Sequence, residues 1–212
     1  VVLITRGGQL RRMHQRVYDR LELPASDSEV PQHVFNAMTD QNLLFFTQIG
    51  NCYQVPVAQL EESFRPRDRG TMLAGILSGL EDGEQVVSVI LMPEDTGRLG
   101  DLFFFTRNGM VKRTALSEYA VRRSKVAACG LEKNDEIILV CTLLPQDDIY
   151  CLSKAGMLIR FKEDEVSQTG RVTRGVKAMR LALKDSLLTA GGIQDSDQLL
   201  LVSERGFMKR VP

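Results

Sequence analysis

The sequence has only two histidines and four cysteines, none of the latter in a C-x-x-C pair, and no apolar run near the roughly 20 residues that cross a bilayer. Metal sites need converging ligands, usually two from one short turn, and Cys52, Cys129, Cys141 and Cys151 stand too far apart for that. They read as small core residues of a reducing cytoplasm. His14 and His33 have no nucleophile in a recognisable setting and read as surface residues. Tyr18, Tyr53, Tyr119 and Tyr150 lie in repeat or strand contexts, and GRVTRG lacks the Lys-Ser/Thr of a phosphate-binding loop. Acidic pairs such as Asp147-Asp148 and Glu163-Asp164 read as turn residues. No catalytic residue and no metal site is therefore expected. The opening VVLITRGG lacks the charged start and apolar stretch of a signal peptide. It also lacks an initiator methionine, which reads as a piece of a longer protein. There is no excess charge of either sign, since Lys plus Arg and Asp plus Glu are both 27. Nucleic-acid-binding domains often run basic, but what a partner feels is charge distribution over a Debye length of about 8 Å.

What is present is a repeat. A chain of 212 residues suits one domain or one closed array of repeats. Five segments share one pattern: VVLITRGGQLRR, LLFFTQIGNCYQV, LFFFTRNGMVKRT, IYCLSKAGMLIRF and LLLVSERGFMKRV. Each is a β-branched or aromatic run, then Thr or Ser, two residues, Gly, and a second run. The aligned glycines Gly8, Gly50, Gly109, Gly156 and Gly206 are separated by 42, 59, 47 and 50 residues. Two β-rich runs joined through x-Gly predict a tight hairpin, because Gly accepts the positive φ that such turns require. Asn108-Gly109 predicts a type I′ turn. Between hairpins recur a basic loop (ESFRPRDRG, EYAVRRSKV, QTGRVTRGV) and an acidic turn leading into a strand (LEDGEQVVSVIL, LEKNDEIILVCTL, LKDSLLTAGGI). Each unit thus supplies about four short strands, the content of one propeller-type blade. MHQRVYDRL and ALSEYAVRR each predict about two turns of helix. One all-β domain spanning 1–212 follows, a radially repeated ring of about five four-stranded blades.

The cations fall on repeating positions. Sites after the hairpin turns hold Arg11 and Arg12, Lys112 and Arg113, Arg160, and Lys209 and Arg210. The basic loops hold Arg65, Arg67 and Arg69, then Arg122, Arg123 and Lys125, then Arg171, Arg174, Lys177 and Arg180. From Arg107 to Lys125 six basic residues face one acid, Glu118. If blades repeat radially, like positions share a face, and these residues line one edge. Duplex DNA carries one charge per about 1.7 Å of axis, so sequence-independent binding needs spaced cations rather than a base-reading element.

These segments resemble the C-terminal domain of the A subunit of bacterial DNA gyrase and topoisomerase IV. LLFFTQIGNCYQV is similar to that family's second repeat and LFFFTRNGMVKRTALSEYAVRRSKVAACGLEKNDEII to its third. IRFKEDEVSQTGRVTRGVKAMRLALKDSLL resembles the fourth and LLLVSERGFMKRVP the fifth, so the likeness covers nearly the whole chain in order. The resemblance implies a β-pinwheel with strands exchanged between neighbouring blades, and duplex DNA bent around a basic outer rim. It implies presentation of a DNA segment to the catalytic core of the parent polypeptide, working with a separate ATPase partner. The domain itself is expected to need no cofactor, with ATP and magnesium used by other domains, and to be a monomer in isolation in the nucleoid-containing cytoplasm, with no membrane partner. Gyrase carries a basic box, QRRGGKG, in the first blade, where this chain reads MHQRVYDRLELPASDSEVPQHVF. That departure points toward a topoisomerase IV-like protein or a divergent gyrase. Further departures are Lys125 where the family has Gly, Ser167 where it has Arg, and five visible repeats where gyrase has six. The neutral total charge leaves one other reading, a propeller that binds another protein and has no DNA role.

Overall fold

The computed structural model describes residues 1–93, 100–144 and 146–211. Its strands, in chain order, are β1 (Val2–Thr5), β2 (Gln9–Arg12), β3 (Pro31–Phe35), β4 (Asn42–Thr47), β5 (Asn51–Pro56), β6 (Thr71–Met72), β7 (Val86–Leu91), β8 (Asp101–Thr106) and β9 (Met110–Ala115). They continue with β10 (Lys125–Ala127), β11 (Ile137–Thr142), β12 (Asp148–Ser153), β13 (Leu158–Lys162), β14 (Val176–Lys177), β15 (Leu187–Ile193), β16 (Leu199–Val202) and β17 (Met208–Val211).

Each repeated motif is an antiparallel hairpin, and its Thr/Ser-x-x-Gly signature has a specific cause. The amide of each glycine donates to the carbonyl of the Thr or Ser three residues earlier, at 2.9–3.0 Å. The next amide donates to that residue's hydroxyl, at 3.3 Å for Thr5 and Thr47, 3.2 Å for Thr106, 3.3 Å for Ser153 and 3.0 Å for Ser203. All five glycines have φ between +75° and +89°. Asn108 does not have positive φ. The expected type I′ turn is therefore replaced by a three-residue loop, a turn closed from Thr106 to Gly109 with glycine alone in the left-handed region.

The all-β expectation holds, and the four-stranded blades are built by exchange. The first sheet runs β3-β1-β2-β6, the second β7-β4-β5-β10 and the third β11-β8-β9-β14. In each, the last strand arrives from beyond the next hairpin in the chain. Among the described residues the fourth sheet has three strands, β15-β12-β13, and the fifth two, β16-β17.

The apolar runs explain the stacking of sheets. In β4, Leu43 and Phe45 face the first blade, in a core with Val2, Ile4 and Leu10. Leu44 and Phe46 face the third, in a core with Leu102, Phe104 and Tyr119. Phe103 and Phe105 turn the other way, onto Ile149 and Cys151 of the fourth blade. A strand buried on both faces needs a continuous apolar run rather than alternation, and each such side chain contributes roughly 1.5–3 kcal/mol on burial. The expected helices shrink to single turns at Gln15–Tyr18 and Leu116–Tyr119. The first buries no residue and has no side-chain cap, so nothing extends it. The second ends where Tyr119 drops into the core and donates to the Ala128 carbonyl at 2.8 Å. Among the described residues, no helix is long and apolar enough to cross a membrane.

Candidate nucleic-acid interface

The third strands of successive blades lie side by side, β7 against β11 and β11 against β15. They form the inner edge of the array, which places the exchanged strands β6, β10 and β14 on the outer edge. Each exchanged strand is preceded by one of the basic loops, residues 64–70, 120–124 and 170–175. The three land in one register. Thr71 pairs with Leu10, Val126 with Cys52 and Val176 with Val111, in each case two residues beyond the hairpin glycine. Backbone bonds then seat each loop along its hairpin: Ser63 N–H to Arg12 O (2.7 Å), Gln54 N–H to Ser124 O (2.8 Å) and Thr169 N–H to Arg113 O (2.8 Å).

Two loops end in glycine for a steric reason. Gly70 and Gly175 have φ of +76° and +80°, and a Cβ at Gly175 would lie 2.2 Å from the Val111 carbonyl oxygen. Replacing Gly175 by alanine is expected to cost at least about 1–3 kcal/mol from the backbone conformation alone. The check is a lower melting temperature together with faster amide exchange confined to residues 170–177. In the second blade the equivalent residue is Lys125, which is extended, pairs with Tyr53 and lengthens the exchanged strand by one residue.

The loops present their cations outward. Arg65, Arg67, Arg69, Arg122, Arg123, Arg174 and Lys177 are exposed. Arg67 pairs with Glu22 at 3.0 Å, and the others make no ion pair among the described residues. Arg171 is half-buried, and one of its guanidinium nitrogens is buried without a partner among the described residues. Arg180 is exposed but lies past β14, beside the hairpin turn where Met179 N–H meets the Gly109 carbonyl. Lys209 and Arg210 are exposed on β17.

The expectation that the post-turn cations share that edge needs correction. The faces of β2 and β9 are covered by neighbouring blades and by the seated loops, and their side chains point into those contacts. Lys112 is 1% exposed, its ammonium over the Phe104 ring and donating to the carbonyls of Ala128 (2.7 Å), Arg171 (2.5 Å) and Gly170 (3.4 Å). Burial pulls its pKa down to about 8. Arg11 is buried too, donating to the carbonyls of Arg65 and Pro66 at 3.1 and 2.9 Å. One residue further on, Arg12 pairs with Glu62 (3.3 Å) and Arg113 with Asp101 (2.5 Å). Arg160 pairs with Asp148 (2.7 Å) and Asp195. Lys125, expected among the loop cations, instead lies over the Tyr53 ring and donates to the Gly79 carbonyl at 2.9 Å, with Glu81 at 3.3 Å. Six of the seventeen cations thus hold the fold.

The acidic turns sit at the hairpin tips, and the one at 80–85 also meets Lys125 at the end of the second basic loop. Asp135 accepts from the amides of Asn108 (3.0 Å) and Glu136 (2.9 Å), and Asp185 from those of Ala155 (3.0 Å) and Ser186 (2.8 Å). In the second blade Glu84 plays this part, buried and accepting from Thr47 (2.6 Å), Asn51 (2.9 Å) and Tyr53 (2.8 Å). Burial opposes the Glu84 charge, but these donors and the Glu81 amide outweigh it and hold the carboxyl below its usual range. The turn acids are thus tied to the hairpin tips, where the exposed Arg6, Arg107, Lys154 and Arg205 also stand, and the outer loops carry a second set of exposed cations along the exchanged strands.

A family model described as the DNA gyrase C-terminal domain, beta-propeller, matches residues 41–91, 100–141, 147–191 and 197–212. The chain is 32% identical over 216 residues to the A subunit of DNA topoisomerase 4 from Bacillus subtilis, covering 99% of this chain and 26% of that protein. It is 30% identical over 180 residues to the A subunit of DNA gyrase from Chlamydia pneumoniae, covering 84% of this chain and 21% of that protein. The chain therefore spans about a fifth to a quarter of these relatives' length. Among solved structures, a C-terminal domain of DNA topoisomerase IV aligns with a TM-score of 0.88 at 27% identity, over 99% of this chain and 66% of that one. The E. coli ParC C-terminal domain shares the fold, with a TM-score of 0.77 at 18% identity over 99% of this chain and 85% of that one.

Proposed function

The chain belongs to the DNA gyrase C-terminal domain family, and on that premise we propose that it binds duplex DNA without sequence preference along its outer edge and bends it. The observation that carries this reading is the common register of the three basic loops on the exchanged strands. Their exposed cations, Arg65, Arg67, Arg69, Arg122, Arg123, Arg174 and Lys177, are the phosphate contacts. Lys209 and Arg210 of β17 and Arg180 extend the basic surface. Arg11, Arg12, Lys112, Arg113, Lys125 and Arg160 act behind it, and Arg171 does so in part. Phosphate contacts position a duplex and carry no sequence information.

The bound segment is delivered to the catalytic core of a type IIA topoisomerase that works with a separate ATPase partner. In this reading strand cleavage is the work of the catalytic core, and ATP and magnesium act through other domains. It works as a monomeric unit of that enzyme in the cytoplasm, at the nucleoid. The first blade carries the arm 13–30 in place of a basic box, and its acids Asp19, Glu22, Asp27 and Glu29 outnumber Arg16 and Arg20. That favours DNA delivery of the topoisomerase IV kind over strong chiral wrapping.

Fluorescence anisotropy on two duplexes of unrelated sequence, read between low and physiological salt, tests the proposal. Equal affinities and a steep salt slope are expected. Each phosphate neutralised contributes about −0.9 to the slope of log K against log salt, so removing Arg122 and Arg123 together (R122Q/R123Q) flattens it by about 2 on both duplexes. A strong preference for one sequence would overturn it. So would the absence of binding at micromolar protein in low salt, and that outcome would favour a protein-binding propeller.

A further inference from the structure

Three carbonyl groups converge on the ammonium of Lys112, and they come from two different parts of the chain. Ala128 follows the exchanged strand of the second blade, whereas Gly170 and Arg171 belong to the basic loop seated on the third. These two segments also touch directly, with the Gly130 amide donating to the Thr173 carbonyl at 3.0 Å. A side chain on Gly130 would meet the Val172 carbonyl at 2.5 Å. The loop carrying Arg174 and the segment that continues from Arg122 and Arg123 are therefore clamped together, and a buried cation sits in the clamp.

The same link recurs in another form one blade earlier. There the residue three beyond the hairpin glycine is Tyr53, and its hydroxyl reaches the Gly79 carbonyl at 2.9 Å. The cation comes from the loop side, as Lys125, and lands on that same carbonyl at 2.9 Å. In the first blade Arg11 holds the carbonyls of Arg65 and Pro66. All three blades thus set one buried or half-buried cation against main-chain carbonyls, although only in the second and third does it reach the segment that follows the preceding blade's exchanged strand.

We infer that Lys112 is a positioning residue: it fixes the interval between the second and third basic loops, and through that interval the curvature of the DNA they hold. This rests on the DNA-binding reading above and deepens it. Main-chain carbonyls are the acceptors, so the clamp constrains loop backbone directly and not through mobile side chains. An ammonium has three hydrogens for three carbonyls, whereas a neutral amine has two. The titratable and charged groups around it are the Cys129 thiol, the Arg171 guanidinium, Glu118, and the Tyr119 hydroxyl, which shares the Ala128 carbonyl. Burial pushes the Cys129 thiol up to about 11 and Tyr119 higher still, so both stay neutral where Lys112 changes charge, near 8. Loosening with rising pH is thus a signature of Lys112.

Spin labels on Arg122→Cys and Arg174→Cys read the interval without DNA. Cys52, Cys129 and Cys151 are buried and the half-buried Cys141 is first replaced (Cys141→Ser), so the native thiols do not compete. At neutral pH the wild type is expected to give one narrow distance distribution, broadened in Lys112→Met and restored in Lys112→Arg. Raising the pH from 7 to 9 is expected to broaden the wild type and leave Lys112→Arg unchanged. On labelled duplex, Lys112→Met is expected to lose most of the bend-dependent energy transfer while its affinity falls less than about threefold. That is the pattern for a residue that places contacts without making them.

Lys112→Met with a distribution as narrow as wild type would overturn the inference, and so would Lys112→Arg as broad as Lys112→Met. Unchanged bending despite a broadened interval would overturn it as well. A wild type that binds no DNA would sink the functional reading instead, with the distance measurement still judging the clamp. Should Lys112→Met fail to fold, the comparison of wild type and Lys112→Arg across pH decides alone.

Discussion

Phe104→Ala is expected to destabilise the domain by about 3–5 kcal/mol, the range for deleting a fully buried aromatic from a packed core. The Phe104 ring is fully buried where the second and third blades meet. It stands edge-on to Phe46 at 5.5 Å and tilted to Tyr119 at 6.0 Å. Those aromatic pairs add to the area term. The substitution also removes the ring beneath the Lys112 ammonium, 4.7 Å from its centroid, leaving a buried cation beside a cavity. Domains are stable by about 5–15 kcal/mol in all, so this single change consumes a large share. For a chain of this size it lowers the melting temperature by roughly 6–20 °C, readable by calorimetry. Phe64→Ala is the control. That side chain is exposed on the first basic loop, and a surface change of this kind stays within about 0.5 kcal/mol.

Such contrasts mark what was legible in the chain and what was not. The hairpins were, because Thr106 and Gly109 act within four residues of each other and a local hydrogen-bond pattern leaves a local signature. The blade-to-blade core was legible too, in runs such as Leu102–Phe105, where the lack of alternation announces burial on both faces. Strand exchange was implied by the family resemblance alone, and the residues themselves do not record it. Nothing in Val176 and Lys177 records that they pair with Val111 and Met110 across some 65 residues of chain. Two-residue strands carry little register information of their own.

The misplacement of Lys112 follows from the same fact. A lysine after a hairpin reads as solvated, because lysine is seldom fully buried. Only the arrival of the 170–175 loop supplies the carbonyls that make burial tolerable. The signal available was parity. Once blades and loops are known to cover both faces of β9, Lys112 and Arg113 have no open face between them, and each needs a partner within the fold. Asn108 misleads by a different route. Asn-Gly favours a type I′ turn in a two-residue hairpin, but Thr106 closes a three-residue loop that needs only the glycine left-handed.

Neutralising the whole outer edge is expected to remove DNA binding at physiological salt while leaving the fold intact. The variant replaces Arg65, Arg67, Arg69, Arg122, Arg123, Arg174 and Lys177 with glutamine, all of them exposed. Among the described residues only Arg67 loses an ion pair, its exposed contact with Glu22, and pairs of that kind contribute about 0–1 kcal/mol. Nonspecific binding is worth roughly 5.5–8 kcal/mol, and bending 20–30 base pairs by 40–90° takes on the order of 1–6 kcal/mol of it. A single loop cannot hold a bent duplex on that margin, whereas three in register can. The loss is therefore cooperative, with bending failing after one loop is neutralised and binding only after two or three. The full variant is expected to bind at least about a thousandfold more weakly at physiological salt, with a salt slope smaller by about 6. Neutralising Arg12, Arg113 and Arg160 is the matched comparison. It takes the arginine partner from Glu62, Asp101 and Asp148, of which Asp148 keeps Lys162, so it should lower the melting temperature while leaving the salt slope of the surviving fold unchanged. Wild-type affinity in the seven-residue variant would show that the duplex does not follow this edge.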